Sequence, residues 1–178
     1  MILNRNEKLM EYDFNKLIKS IRNGEYKLIG SGSCRKVYDL NNGYVIKVAK
    51  DIRGIYQNQA ESRIYLSRKS DFFADVITIS EDNKCLIMSK ARIIKNIQTV
   101  YKYYKVKNIN ALVKLENFKI DISNFKLSKG DLRRPSSWGF KGDVPVLIDY
   151  GLTNSIFKKY YRHNLIFKKK FSRLHYSS

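Results

Sequence analysis

The sequence contains few residues of the kinds that constrain a chain covalently or anchor it in a membrane. It has two cysteines and two prolines among 178 residues. Two cysteines are too few for a disulfide framework, which favours a reducing, cytoplasmic environment. No apolar run approaches the roughly 20 residues that cross a bilayer, and the first residues lack the apolar core of a signal peptide. We therefore expect neither a disulfide-stapled secreted domain nor a membrane-spanning protein.

Acidic residues are also scarce, with 16 Asp and Glu against 35 Lys and Arg, giving a formal net charge of +19. Such a charge favours contact with an acidic protein, with nucleic acid or with another polyanion. The alternative is compositional drift, because the chain is also rich in Asn, Ile and Tyr. Hydrophobic residues make up 43% of the chain, which is enough for a folded domain with a core. Both explanations of the charge stay open.

The hydrophobic patterns predict an α+β fold in which strands come first and helices follow. Helices are predicted over 5–22, 55–69 and 97–115 and in a basic tail from 154, and strands within 26–50, 75–80, 84–88 and 138–148. Turn signals at Asn42-Gly43, at 81–83 and at 141–143 join the strands as hairpins. Asn23-Gly24 is the candidate C-cap of the first helix.

One glycine-containing stretch, GSGSCRKV, lies between two predicted strands. Gly30 and Gly32 would let backbone N–H groups approach phosphate oxygens without a Cβ in the way. Ser31 and Ser33 add hydroxyl donors, and Val37 begins the next apolar run. On its own the stretch is more typical of a hairpin that happens to contain glycine than of a phosphate site.

Two charged residues, Lys47 and Asp149, have apolar neighbours in the sequence. Lys47 lies inside the strand YVIKVAK, and Glu61, on the next predicted helix, is its candidate partner. Asp149 ends the run VPVLID and precedes a glycine, a position suited to holding a metal ion. Asp131 lies 18 residues upstream in SKGDL. The alternative for Lys47 is a side chain that extends to solvent.

In their order and spacing these motifs resemble the protein-kinase-like superfamily, which includes protein kinases and small-molecule phosphotransferases. Gly30 and Gly32 with Val37 resemble the loop over ATP. Lys47 resembles the strand lysine that contacts the α- and β-phosphates, and Glu61 resembles its helical partner. The resemblance implies an antiparallel N-lobe sheet with one helix, followed by a helical C-lobe.

The later motifs resemble the hinge and the catalytic segments of the same family. CLIMSKA resembles the strand into the hinge, where backbone groups around Met88, Ser89 and Lys90 would meet adenine. KGDL with Asp131 resembles the catalytic-loop aspartate, and IDYG with Asp149 resembles the metal-binding motif. The resemblance therefore implies ATP and Mg²⁺ as cofactors.

The chain departs from the family pattern at three points. Arg35 stands where the third loop glycine is usual. The asparagine that supplies a second metal contact is replaced by Ser136 or Ser137, and a serine hydroxyl is a poorer magnesium ligand than an amide oxygen. The C-lobe is short, which most resembles small kinase-like proteins of phage genomes and would place the chain in the host cytoplasm.

We expect a single kinase-like domain with an N-terminal helix (1–24), an N-lobe (25–90) and a reduced C-lobe (91–178). The leading interpretation is an ATP- and magnesium-dependent phosphotransferase to an alcohol group, such as a Ser/Thr protein kinase or autokinase. The first alternative is a pseudokinase that binds nucleotide and regulates a protein partner. The second is a binder of nucleic acid or another polyanion, because lysines alternate with aromatic residues in the tail.

Overall fold

The computed structural model describes residues 12–160. The strands are β1 (Leu28–Ser31), β2 (Arg35–Asp39), β3 (Tyr44–Ala49), β4 (Val76–Ile79), β5 (Cys85–Ser89), β6 (Arg92–Ile93), β7 (Trp138–Lys141) and β8 (Val144–Leu147). The α-helices are α1 (Phe14–Arg22), α2 (Ile52–Ser67), α3 (Ile97–Tyr103), α4 (Ile109–Leu112), α5 (Glu116–Phe125), α6 (Lys129–Leu132) and α7 (Asn154–Tyr160), and a 3₁₀ helix spans Pro135–Ser137.

The N-lobe is built on a five-stranded antiparallel sheet with the strand order β1-β2-β3-β5-β4. Its two predicted hairpins are present. Asn41 and Gly43 adopt positive φ values of 59° and 86° in the turn between β2 and β3. Asn83, with a φ of 57°, turns the chain between β4 and β5. These are the backbone conformations for which Asn and Gly are suited.

Alternate residues of the sheet supply two cores on its opposite faces. The smaller core joins Leu40, Ile46, Cys85 and Ile87 to the apolar face of α1, formed by Phe14, Leu17, Ile18 and Ile21. The larger core joins the other face of the sheet to α2 and to the C-lobe, and its members include Val45, Ile64, Leu86, Phe118 and Trp138. The larger core therefore extends through both lobes.

Helix α1 begins later than the sequence predicts. Asp13 accepts a hydrogen bond from the backbone N–H of Lys16 and caps the helix, which starts at Phe14. Its end is as predicted, because Asn23 is the C-cap and Gly24 follows with a φ of 77°. The earlier part of the predicted helix, with Met10, lies outside the described residues.

Helix α2 begins three residues before the predicted start, because Asp51 caps the N–H groups of Arg53 and Gly54. Gly54 lets the helix pack directly on the N-lobe strands. A Cβ at this position would lie 2.3 Å from the backbone oxygen of Cys34. This close approach brings the buried face of α2 against β3.

The C-lobe combines the helices α3–α6 with a three-stranded sheet of order β6-β7-β8. The prediction of a single helix over 97–115 is wrong. Lys105 adopts a φ of 53° and ends α3, and Asn108 caps a separate helix, α4. The predicted hairpin around Gly142 is present, with a φ of 58° at that glycine.

The predicted fold class is confirmed: the chain is α+β, with an antiparallel N-lobe sheet and a reduced helical C-lobe. The predicted tail helix is present as α7 up to Tyr160, and its remaining basic and aromatic residues lie outside the described part. None of the helices within residues 12–160 is long and apolar enough to cross a membrane.

Candidate functional site

Glu61 is the centre of a buried polar cluster between the sheet and α2. Its side chain is fully buried. Its Oε1 and Oε2 atoms accept hydrogen bonds from Lys47 Nζ at 2.9 and 2.8 Å. Oε1 also accepts the backbone N–H groups of Tyr150 at 3.3 Å and Gly151 at 3.2 Å. Arg35 is a further partner of both oxygens. A buried carboxylate needs such compensation, and here it has several donors.

Lys47 lies on β3, the strand next to the glycine-containing β1–β2 hairpin. Its strand pairs it with Val37 on one side and Leu86 on the other, and only 5% of the residue is exposed. Besides Glu61, its Nζ donates to the backbone oxygen of Ile148 at 2.6 Å. These three acceptor atoms match the three N–H donors of an ammonium group. The predicted partner is therefore in place, and the solvent-extended alternative is wrong.

Arg35 joins the same cluster from β2. Its guanidinium engages both oxygens of Glu61, with NH1–Oε2 at 2.9 Å and NH2–Oε1 at 3.0 Å. NH1 also donates to Asn58 Oδ1 at 3.2 Å, and NH2 donates to Asp149 Oδ1 at 2.7 Å. Only 7% of the residue is exposed. This fork geometry is the arrangement in which arginine binds carboxylates most strongly.

The charges in this cluster control its pKa values. Burial alone would raise the pKa of Glu61, but Arg35 and Lys47 outweigh burial and lower it to about 2. Burial lowers the pKa of Lys47, and the charge of Glu61 opposes that effect. Burial also acts to lower the pKa of Arg35, but Glu61 and Asp149 raise it overall. The carboxylate of Glu61 is thus ionised across the physiological pH range.

Asp149 lies at the solvent-facing edge of the cluster. Its side chain is 58% exposed, and one of its oxygens holds the ion pair with Arg35. Two residues later, Gly151 packs on the backbone of α2. A Cβ there would lie 2.5 Å from the backbone oxygen of Gln57. The glycine of the IDYG motif is therefore required by packing, and it fixes the position of Asp149 relative to Glu61.

Asp131 reaches the same region from the short helix α6. Ser128 caps this helix by accepting the N–H of Gly130, and the indole N–H of buried Trp138 donates to the oxygen of Leu132 at 2.9 Å. Burial raises the pKa of Asp131, the charge of Asp149 raises it further, and Arg134, 3.3 Å away, lowers it. The two aspartates are therefore electrostatic neighbours.

The two serines considered as metal ligands have different surroundings. Ser136 is exposed, whereas Ser137 is buried. The backbone oxygen of Ser137 accepts the N–H of Ile148 at 2.8 Å and that of Asp149 at 3.4 Å. These bonds join the segment after Asp131 to the segment that carries Asp149.

The residues do not form a fitting magnesium site in this arrangement. One oxygen of Asp149 pairs with the guanidinium of Arg35, and Ser136 and Ser137 offer only hydroxyl groups, which are poorer magnesium ligands than amide or carboxylate oxygens. Within residues 12–160 there is also no group of three His, Cys, Asp or Glu side chains able to hold a metal ion. Magnesium at Asp149 with Ser136 or Ser137 thus stays a prediction, in which the ion would have to displace or share the ion pair with Arg35.

The glycine stretch forms the tip of the β1–β2 hairpin. Gly32 N–H donates to the oxygen of Arg35 at 2.9 Å, and Lys50 Nζ contacts Ser31 Oγ at 3.0 Å and the oxygen of Gly32 at 2.6 Å. A Cβ at Gly30 would meet nothing closer than Val37 at 3.6 Å, and one at Gly32 nothing closer than 3.9 Å. Unlike Gly151, these two glycines are not required by packing within the described residues.

The candidate hinge follows β5. Met88 is buried in the larger core. The N–H of Ser89 donates to the oxygen of Asp75 at 2.9 Å, and the N–H of Lys90 donates to the oxygen of Gly43 at 2.9 Å. An adenine contact through these two N–H groups would require those bonds to open. The prediction for Met88 and Lys90 is otherwise untested.

A surface cavity of about 480 Å³ lies elsewhere in the C-lobe, among α4, α5 and α6. Its lining consists of Asn110, Val113, Lys114, Lys119, Ile122, Ser123 and Lys129. It lies apart from Lys47 and Glu61, although Lys129 is two residues from Asp131. The buried polar cluster carries more chemistry than this cavity, because its charged groups are held by short, specific contacts.

The sequence predicted the pairing of Lys47 with Glu61, but it gave no role to Arg35, which joins them in the same cluster. Two patterns could have indicated it. Arg35 precedes Val37 by two residues, and alternate residues of a strand face the same side. Asn58 and Glu61 are three residues apart on α2, so that two polar side chains share a helix face directed at the sheet.

No protein-family model matches the chain, and no curated protein matches it. Among solved structures, the streptomycin–ATP–APH(2")-IIa ternary complex matches with 21% sequence identity and a TM-score of 0.38. The match covers 69% of this chain and 43% of that chain, so the chain spans less than half the length of the matched protein.

Proposed function

We propose that the chain is a phosphotransferase that uses a nucleoside triphosphate such as ATP as its donor. The observation that carries this proposal is the buried ion pair of Lys47 and Glu61, 2.8 Å apart, with Lys47 on the strand next to the glycine-containing hairpin. Asp131 and Asp149 come from two different segments to the same region. Buried charged groups with shifted pKa values are typical of functional sites.

Each group has a role in transfer. The open faces of Gly30 and Gly32 leave room for phosphate oxygens to reach backbone N–H groups. Lys47 supplies a fixed positive charge under them. Asp131 accepts the proton of an acceptor hydroxyl as its oxygen bonds to the terminal phosphorus, and the bond from that phosphorus to the leaving nucleoside diphosphate breaks. The raised pKa of Asp131 brings this base closer to neutral pH.

The test is transfer of label from [γ-³²P]ATP by the purified full chain, to itself and to a host extract, with Mg²⁺ and separately with EDTA. We expect labelling that falls by about 100-fold or more in Asp131→Asn, because general-base catalysis contributes on this scale. Asp143→Asn is the matched control, since this exposed aspartate lies in the β7–β8 turn. Labelling that survives in Asp131→Asn would contradict the assigned role.

The second candidate is a regulatory module that binds nucleotide without transferring phosphate. The observation that favours it is the 2.7 Å ion pair of Arg35 with Asp149, which engages the carboxylate that would otherwise hold a metal. This candidate predicts ATP binding with no transfer of label in either buffer. An absence of ATP binding in both buffers would contradict both candidates.

A further inference from the structure

Four ionised side chains meet in the candidate site: Arg35, Lys47, Glu61 and Asp149. Two carry a positive charge and two a negative charge, so their sum is zero. Three of the four are almost fully buried, and Asp149 alone is exposed on one side. The charge balance of the cluster is therefore complete within the chain.

Arg35 is the member that completes this balance. Its two terminal nitrogens make four contacts, of which three are to carboxylate oxygens at 2.7, 2.9 and 3.0 Å. Removing the guanidinium would leave Glu61 and Asp149 opposed by Lys47 alone, a net charge of minus one. Removing one member of a buried, hydrogen-bonded group of charges in this way lowers the stability of the fold.

The position of Arg35 also bears on how a triphosphate would be received. An anionic ligand approaching Asp149 is repelled unless a cation stands between or beside them. Arg35 already neutralises that carboxylate at 2.7 Å. Lys50 adds a second cation at the loop tip, where its Nζ contacts Ser31 and Gly32. Because the four charges of the cluster sum to zero, Lys50 leaves one net positive charge near the loop without a metal ion.

We propose that Arg35 is the resident cation of this site and lets a nucleoside triphosphate bind without a divalent ion. The proposal rests on the nucleotide-binding part of the proposed function. It assigns Arg35 a positioning role: the guanidinium acts through Asp149 and Glu61 and compensates their charge. A divalent ion bound to Asp149 would have to displace or share this ion pair.

The test is the affinity of the full chain for ATP, measured by isothermal titration calorimetry in EDTA and in excess MgCl₂. For the wild type we expect the two dissociation constants to agree within about threefold, a small difference on the energy scale of binding. For Arg35→Gln we expect binding in EDTA to weaken by about tenfold or more and to be restored at least in part by MgCl₂.

Two further variants make the result specific. Arg35→Lys keeps the charge and is expected to retain more binding in EDTA than Arg35→Gln. Lys107→Gln removes one exposed positive charge between α3 and α4 and is expected to behave as the wild type. Circular dichroism of each variant checks that it is folded, and the wild-type comparison is decisive even if Arg35→Gln does not fold.

Wild-type binding that requires MgCl₂ would overturn this inference and leave the proposed phosphotransferase intact. Equal binding of Arg35→Gln and wild type in EDTA, with the variant folded, would also overturn it. Absence of wild-type binding in both buffers would overturn the proposed function and this inference together. Metal-independent binding that is lost in folded Arg35→Gln would support it.

Discussion

At the scale of single residues, Glu61 organises the site. It accepts hydrogen bonds from Lys47, from Arg35 and from the backbone N–H groups that follow Asp149. The strand position of Lys47 predicted this pairing, because its apolar neighbours require a partner for the charge and Glu61 lies on the next helix. The contact with Arg35 was not predicted, because it depends on how β2 meets α2 in three dimensions.

The depressed pKa of Glu61 predicts a loss of stability in acid. The pKa falls from 4.5 to about 2 on folding. The ionised Glu61 therefore makes its full contribution to the free energy of unfolding above about pH 4.5, and this contribution is lost as the pH falls through the pKa of the folded state. We expect the unfolding free-energy difference between wild type and Glu61→Gln, measured in urea, to shrink by on the order of 3 kcal/mol over that interval.

The control for this measurement is Glu116→Gln, because Glu116 is exposed at the start of α5. Its difference from the wild type is expected to change much less over the same interval. A wild-type advantage over Glu61→Gln that does not depend on pH would contradict the assignment of Glu61 as the ionised centre of the cluster.

At the scale of elements, the sequence predicted best where one residue determines local geometry. The hairpin turns at Gly43 and Gly142 and the end of α1 at Gly24 were recognised from glycine and asparagine alone. The 97–115 segment was predicted as one helix because its apolar spacing continues through it. Its break at Lys105 has no proline or glycine to mark it, and the Asn108 cap that begins the next helix was not recognised.

Adding a methyl group is predicted to have different effects at Gly151 and at Gly30. Gly151→Ala places a Cβ 2.5 Å from the backbone of α2, so we expect a loss of about 1–3 kcal/mol of stability. Gly30→Ala meets only ordinary contacts at 3.6 Å, so we expect stability to stay within about 0.5 kcal/mol while ATP affinity falls.

Thermal unfolding and ATP titration of both variants check this pair of expectations. The comparison separates a glycine needed for packing from one kept open for a ligand. If Gly30→Ala unfolded as readily as Gly151→Ala, the hairpin glycine would have a structural role. If Gly30→Ala bound ATP as tightly as the wild type, the loop would not cover the phosphates.

At the scale of the whole molecule, one core joins the lobes and sets the relation between the two halves of the site. Phe72, Phe118 and Trp138 stack or meet edge to face in that core. The Trp138 indole also holds the segment after Asp131. Composition predicted a folded domain of this size, whereas the meeting of residues more than 100 positions apart, as in Arg35 and Asp149, depends on tertiary packing.

The central claim is that a nucleoside triphosphate binds beneath the glycine-containing hairpin, above Lys47. Hydrogen–deuterium exchange of the full chain with and without ATP, followed by mass spectrometry, tests it most directly. We predict slower exchange with ATP in peptides covering 28–37 and 147–151 and no change over 109–129, where the C-lobe cavity lies. Protection confined to 109–129, or absent throughout, would contradict the claim.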